Sequence, residues 1–243
     1  MLFAAQCIIR LARQIHTVGH EGNPTLAVGE IGMVDPTGKV RSLLLLCGIL
    51  SPLLYFGTDM YAGLTYPGYS FTAQAISELF AIGAPTSGFV VSLFTLSSLL
   101  LLAFSLGVWR SSRGSRAIRL TALMFAGNAV NGLVLWNVYP MHMRGAEATF
   151  TDVMHVLLAG VGVVFVLLAV CIVALSSRGR LRIYSIVAIM VLLVPGAIVF
   201  MTVPGLTMGE PTPYVGLTER ISTYGYYLWQ AIFIKYLMKT GGG

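Results

Sequence analysis

"VMHVLLAGVGVVFVLLAVCIVALS", residues 153–176, contains no Lys, Arg, Asp or Glu. A helix needs about 20 apolar residues to cross the hydrocarbon core of a bilayer. Lipid offers the backbone no hydrogen-bond partner, so an apolar run of this length is read as a spanning helix. Five further windows have the same character: 42–58, 88–108, 120–138, 183–203 and 221–238. The first and last are shorter, and each is flanked by charge or by interfacial aromatics.

Composition agrees with that reading. Of 243 residues, 56% are hydrophobic and only 10% charged, against roughly a quarter charged in ordinary soluble domains; the mean hydropathy is +0.83. The expected fold is all-α, a polytopic membrane bundle of six transmembrane helices over residues 40–240, with an N-terminal segment 1–39 and a tail 241–243. No repeat period of 20–50 residues suggests an array.

Charge placement orients the bundle. Lys39 and Arg41 precede the first window, Arg110, Arg113, Arg116 and Arg119 fill the second connection, Arg178, Arg180 and Arg182 the fourth, and Lys235 and Lys239 the tail. All of these fall on one side, and cytoplasmic loops collect Lys and Arg. Both termini are therefore expected in the cytoplasm. The net charge of +6 follows from topology and calls for no nucleic acid; the expected partners are membrane lipids. Opposite lie Arg144 and Arg220 with Asp59, Glu78, Glu147, Asp152, Glu210 and Glu219, beside an aromatic belt of Tyr66, Tyr69, Trp136 and Tyr139.

Cys7, Cys47 and Cys171 are scattered and imply no disulfide framework. Residues 1–20 can form an amphipathic helix, with Ile8, Leu11, Ala12 and Ile15 on one face. Gln6 and Arg10 interrupt any signal-peptide core. Met33 stands where a start would give a short lead into the first window, so residues 1–32 are expected to be dispensable or untranslated.

The longer outer connections hold nearly all the acids, and specific function is expected there. In "YPGYSFTAQAISEL", residues 66–79, Pro67 and Gly68 suit the two central positions of a turn. Phe71, Ala75, Ile76, Leu79 and Phe80 then recur at helical spacing, predicting a short amphipathic helix at the outer interface or in a shallow re-entrant position that turns Gln74, Ser77 and Glu78 toward a polar neighbour. The alternative for Glu78 is plain solvation.

In "MHMRGAEATFTDVMHVLLAGVG", residues 141–162, Asp152 and His155 are i,i+3 neighbours on one helix face. Ala159 and Gly162 continue that face, and small residues mark close helix approach in membranes. Asp152 and His155 should thus point into the bundle, and His142 can return to the same place. The plainer reading is an Asp that only orients a packed His. Glu219 and Arg220 open the last window, where an outside Arg suggests a carboxylate or phosphate partner; Glu78 and Asp152 are the protein partners considered. Asn128 and Asn131 are read as interhelical glue in preference to a pocket floor, and Pro195-Gly196 as a kink.

The Tyr-Pro-Gly-Tyr turn running into Ile76-Ser77-Glu78-Leu79, the outer Asp and His before a small-residue span, and Gly216-Leu217-Thr218-Glu219-Arg220-Ile221 opening the last helix resemble the DUF998 family of prokaryotic membrane proteins. The resemblance covers about residues 40–240 and implies a six-helix integral membrane protein, expected in the inner membrane of a prokaryotic cell, without an activity.

Three function classes follow. The first is a polar outer pocket of Tyr66, Tyr69, Glu78, His142, Asp152, His155 and Arg220 that binds a lipid or another amphiphile. The second is a lipid-processing hydrolase, with Ser77, Glu78, Asp152 and His155 as candidate catalytic groups; it is loosely similar to membrane hydrolases of the ceramidase and progestin-receptor superfamily but lacks their seventh helix and late paired histidines. Zinc needs three or four convergent ligands, and Glu78, His142, Asp152 and His155 are the candidates; no cofactor is assigned. The third is a small-solute transporter, against which stands the absence of a mid-membrane acid in the sequence windows. Glu78, Asp152, His155 and Arg220 are expected to converge in one outer pocket.

Overall fold

The structure, a computed structural model, describes residues 36–240. The N-terminal amphipathic helix, Cys7, the Met33 start and the 241–243 tail lie outside the described residues. Six long helices follow one another: α1 (Pro36–Thr65), α2 (Ser87–Arg110), α3 (Arg116–Val138), α4 (Phe150–Ser176), α5 (Arg180–Thr207) and α6 (Val215–Thr240). A five-residue 3-10 helix, Ile76–Phe80, interrupts the α1–α2 connection. The fold is an all-α multi-pass membrane bundle. The first five helices are long and apolar enough to span a bilayer. The sixth is the polar one, and it is held inside the bundle by Trp229, Phe233 and Ile234, all nearly fully buried.

Each helix packs against the next in sequence from α2 to α6. The ring closes through α1. Ser51 on α1 hydrogen-bonds Ser97 on α2, and Gln230 on α6 donates to the Gly48 carbonyl at 2.7 Å. α1 and α2 touch closely because Gly107 lacks a Cβ, which would lie 2.9 Å from Leu44 Cβ and Leu45 N. α5 stays helical through Pro195 and Pro204.

The core is unevenly distributed. Leu45, Phe104, Phe125, Val170, Trp229 and Phe233 fill the end of the bundle next to the arginine-rich connections. At the loop-rich end the space is filled instead by the α1–α2 connection, whose Ile76, Leu79 and Phe80 pack with Tyr55, Ala62, Val90 and Phe94.

Two sequence expectations are corrected here. The segment after the turn is a 3-10 helix embedded among the other helices, with Ile76, Glu78, Leu79 and Phe80 buried, and not an amphipathic helix on the interface; its entry among the helices is nearer to the re-entrant alternative. Its apolar residues line up with aromatic surfaces on several sides, so no single face is left for water. The first helix also continues past residue 58 to Thr65, carrying Asp59 into the protein with 0% exposure. A charge ends a hydropathy window, but a helix continues wherever that charge is neutralised.

Candidate functional site

The Tyr66–Tyr69 turn forms as its sequence implies: Gly68 has φ +78°, and the Tyr69 amide donates to the Tyr66 carbonyl at 3.1 Å. The turn sends the chain back into the bundle. There residues 71–74 meet the start of α6, where the Gly216 amide donates to the Thr72 carbonyl at 2.9 Å. A Cβ on Gly216 would collide with the Gln74 and Phe71 carbonyls, so glycine is what allows this docking.

Arg220 sits at the centre of that contact. Its Nε and Nη2 donate to both oxygens of Asp59, at 2.9 and 2.7 Å, a two-pronged pairing suited to the planar guanidinium. Nη1 is shared among the carbonyls of Phe71, Gln74 and Gly216, and Nη2 also donates to the Tyr69 hydroxyl. Tyr224 donates to Asp59 from the other side. Burial pushes the Tyr69 phenol well above its ordinary pKa, against the opposing pull of Arg220, so Tyr69 keeps its proton and donates it to the Ala75 carbonyl at 2.8 Å. Tyr66 stacks on Tyr69.

Glu78 is neither solvated nor bound to Arg220. Arg144 takes it through Nε and Nη2, at 3.2 and 2.8 Å, and spends its remaining donors on the Ala73 and Glu210 carbonyls and the Thr212 hydroxyl. Glu78 also accepts from the Ala75 amide at 2.8 Å, at the start of the 3-10 helix, and from Gln74 at 3.3 Å. The partner expected for Arg220 is thus corrected from Glu78 or Asp152 to Asp59. Gln74 joins the two ion pairs, its side chain donating to Glu78 and its carbonyl accepting from Arg220.

Asp152 and His155 share the start of α4 but have separate partners. Asp152 accepts from the His142 amide at 2.7 Å and from the His142 Nδ1 at 2.9 Å, and from the amide and hydroxyl of Thr149, which caps the helix. His142 is brought there by the Ile82 amide donating to the Met141 carbonyl at 2.8 Å. His155 donates its Nδ1 proton to the Tyr139 carbonyl at 2.8 Å. A carbonyl can only accept, so the neutral ring carries its proton on Nδ1 and leaves Nε2 as an acceptor. Asn131 acts as the expected glue, donating to the Leu158 carbonyl of α4 at 2.9 Å. A Cβ on Gly162 would lie 3.2 Å from Asn131, whereas Ala159 is exposed and lines the internal cavity, and among the described residues is not packed against another helix as Gly162 is.

Beneath these polar contacts lies a cavity of about 350 Å³ inside the ring of helices. Ser77, His142, Asp152, His155 and Ala159 line it, as do Tyr55, Asn128, Trp136, Glu219, Tyr226 and Tyr227. Tyr66, Tyr69, Glu78 and Arg220 do not. The seven residues read as one pocket therefore divide into a cavity wall and a separate bonded layer linked through residues 71–78. A groove between α4 and α5, about 800 Å³ in volume, shares Ala148, Asp152, Val156, Gly160, Val163, Gly196 and Phe200 with the cavity. Its flanks, including Val153, Leu157, Leu193 and Phe200, are exposed and apolar.

Among the described residues no three His, Cys, Asp or Glu side chains are gathered as a metal ion would require. Glu78 is engaged by Arg144 and Asp152 by His142 and Thr149.

The sequence reading missed Asp59 and Glu219 as members of this region. Glu219 accepts from the Ile76 amide at 2.7 Å through Oε2, while Oε1 has no hydrogen-bond donor among the described residues. The available signal was the pairing of an acid at the end of one helix with an arginine at the start of another; nothing local said which acid would win.

Neither the curated proteins nor the solved structures yield a match to this chain. Residues 49–234, which hold the 66–79 segment, the α4 start and the Asp59–Arg220 pair, match the family model described as "Protein of unknown function (DUF998)", and the chain belongs to that family.

Proposed function

We propose that this protein is a membrane-embedded binding protein for a lipid or another amphiphile, with its site toward the outer face. One observation carries the reading: the internal cavity and the apolar groove between α4 and α5 share seven wall residues. An amphiphile can lie with its chain along α4 and α5 and its polar end among Ser77, His155 and Glu219. Binding pockets of this kind are mostly apolar with a few convergent polar groups.

Gly160 offers a direct test, because a Cβ there would meet nothing within 4 Å. Gly160→Leu is therefore expected to fold normally while filling the shared wall. Photo-crosslinking in membranes with a bifunctional fatty-alcohol probe, carrying a diazirine and an alkyne on its chain, should mark α4 or α5 in the wild type and lose that mark in Gly160→Leu. Equal labelling of both would overturn the reading. The outward orientation predicts that an impermeant thiol reagent on intact cells labels Glu147→Cys and not Ser112→Cys; the reverse pattern would place the cavity toward the cytoplasm.

A hydrolase reading has one observation in its favour. Asp152 holds His142 through Nδ1 at 2.9 Å, leaving Nε2 as a base, and Ser77 lines the same cavity. Covalent capture of Ser77 by a lipophilic fluorophosphonate, abolished in His142→Ala, would favour it. Absence of labelling at Ser77 in folded protein would remove it.

A further inference from the structure

Resting on the binding reading above, we infer that the polar end of the ligand is a hydrogen-bond donor, a hydroxyl or a primary amine, and not a phosphate or carboxylate. Among the described residues, the cations at this end of the bundle already have partners, whereas two acceptors on the cavity wall do not; the unpaired hydroxyls of the wall, Tyr226 among them, can donate or accept and favour neither kind of head.

Arg144 is the one fixed cation on the cavity wall among the described residues. A guanidinium has five N–H donors, and those of Arg144 are engaged by Glu78, Ala73, Glu210 and Thr212. Arg220, the other cation at this end, is likewise engaged, by Asp59, Tyr69 and three carbonyls. His142 is held against the Asp152 carboxylate. No positive charge is left to receive an anion.

The acceptors are in the opposite condition. Glu219 lines the cavity with one oxygen bound to the Ile76 amide and the other without a donor among the described residues. His155 lines it with Nε2 as an acceptor, since Nδ1 is committed to the Tyr139 carbonyl. An anionic head placed there would meet a carboxylate while losing its water, which is unfavourable on both counts. A hydroxyl or ammonium would instead supply the missing donors. The cavity, about 350 Å³, falls near the lower end of the roughly 300–1,000 Å³ usual for ligand pockets. That suits one polar head and one chain continuing into the groove.

The test uses the full chain in zwitterionic nanodiscs with three amphiphiles of identical chain, 1-dodecanol, dodecylamine and dodecyl phosphate, each competing against the bifunctional fatty-alcohol probe. The alcohol and the amine are expected to compete about tenfold more tightly than the phosphate, a difference of about 1.4 kcal/mol. Glu219→Gln, which keeps an oxygen for the Ile76 amide, should remove most of the advantage of the amine and less of that of the alcohol, which separates the two headgroups. A phosphate that competes as well as the amine would overturn the inference and leave the binding reading standing. An amine preference unchanged in Glu219→Gln would overturn the assignment to this carboxylate. Failure of every amphiphile, together with no probe labelling, would remove both.

Discussion

Glu219 and Arg220 are consecutive residues on one helix, yet they belong to opposite kinds of site. Arg220 is 6% exposed and has every donor engaged, mainly by a carboxylate that is 0% exposed. Glu219 turns the other way, takes one amide, and leaves an oxygen facing a cavity. The first arrangement joins α1, the 66–79 segment and α6 and has no capacity left for a ligand. The second contributes little to holding the fold and keeps capacity in reserve. Saturation, more than charge, separates the two groups here.

The comparison breaks most visibly at Asp59 and Arg220. Removing one member of a buried ion pair strands the other, at a cost of about 3–5 kcal/mol. Asp59→Ala and Arg220→Ala should each lower thermal stability and membrane accumulation strongly, and the double variant should lose clearly less than the sum, as a double-mutant cycle on purified protein would show. Additive losses would mean the pair is not coupled. The next largest effect is expected at Gly162, against Asn128 and Asn131. Gly162→Leu should cost about 1–3 kcal/mol by overpacking, whereas Ala159→Leu, projecting into the cavity, should leave the melting temperature nearly unchanged. Equal costs at both positions would mean that the cavity wall is as closely packed as the helix contact.

Two smaller effects sharpen the open side. Glu219→Gln should change stability by less than about 1 kcal/mol, because the amide oxygen still accepts from Ile76; a loss as large as that of Asp59→Ala would make Glu219 a structural group. Tyr226 lines the cavity with a buried hydroxyl that has no partner among the described residues. In ligand-free protein, Tyr226→Phe should be neutral or stabilising by up to about 1 kcal/mol, since an unsatisfied buried hydroxyl is removed. Measurable destabilisation by thermal unfolding would reveal a partner for that hydroxyl.

Much of the bundle was legible because its rules are local. The apolar windows located all six helices to within several residues, and Pro67-Gly68 specified the turn. The small residue at 162 marked a helix contact, and Asn131 acted as interhelical glue. His142, Asp152 and His155 were likewise recognisable as neighbours of one wall. Asp59 was misplaced into a loop because hydropathy counts a carboxylate as polar whether or not an arginine awaits it 161 positions later. Glu78 was matched to the wrong cation for a related reason: Arg144 and Arg220 both lie near the same end, and charge does not distinguish them.

Sequence alone determined that this chain is an all-α membrane bundle, how its segments alternate, and which end gathers its acids and aromatics. Those properties follow from the length of apolar runs and from the exclusion of unpaired backbone from lipid. Tertiary structure alone decided which acid each arginine takes, that the 66–79 segment enters the bundle, and that Glu219 keeps a free oxygen beside a cavity. Pairing depends on distances between atoms far apart in the chain, and a buried charge is tolerated only where those distances close its hydrogen bonds.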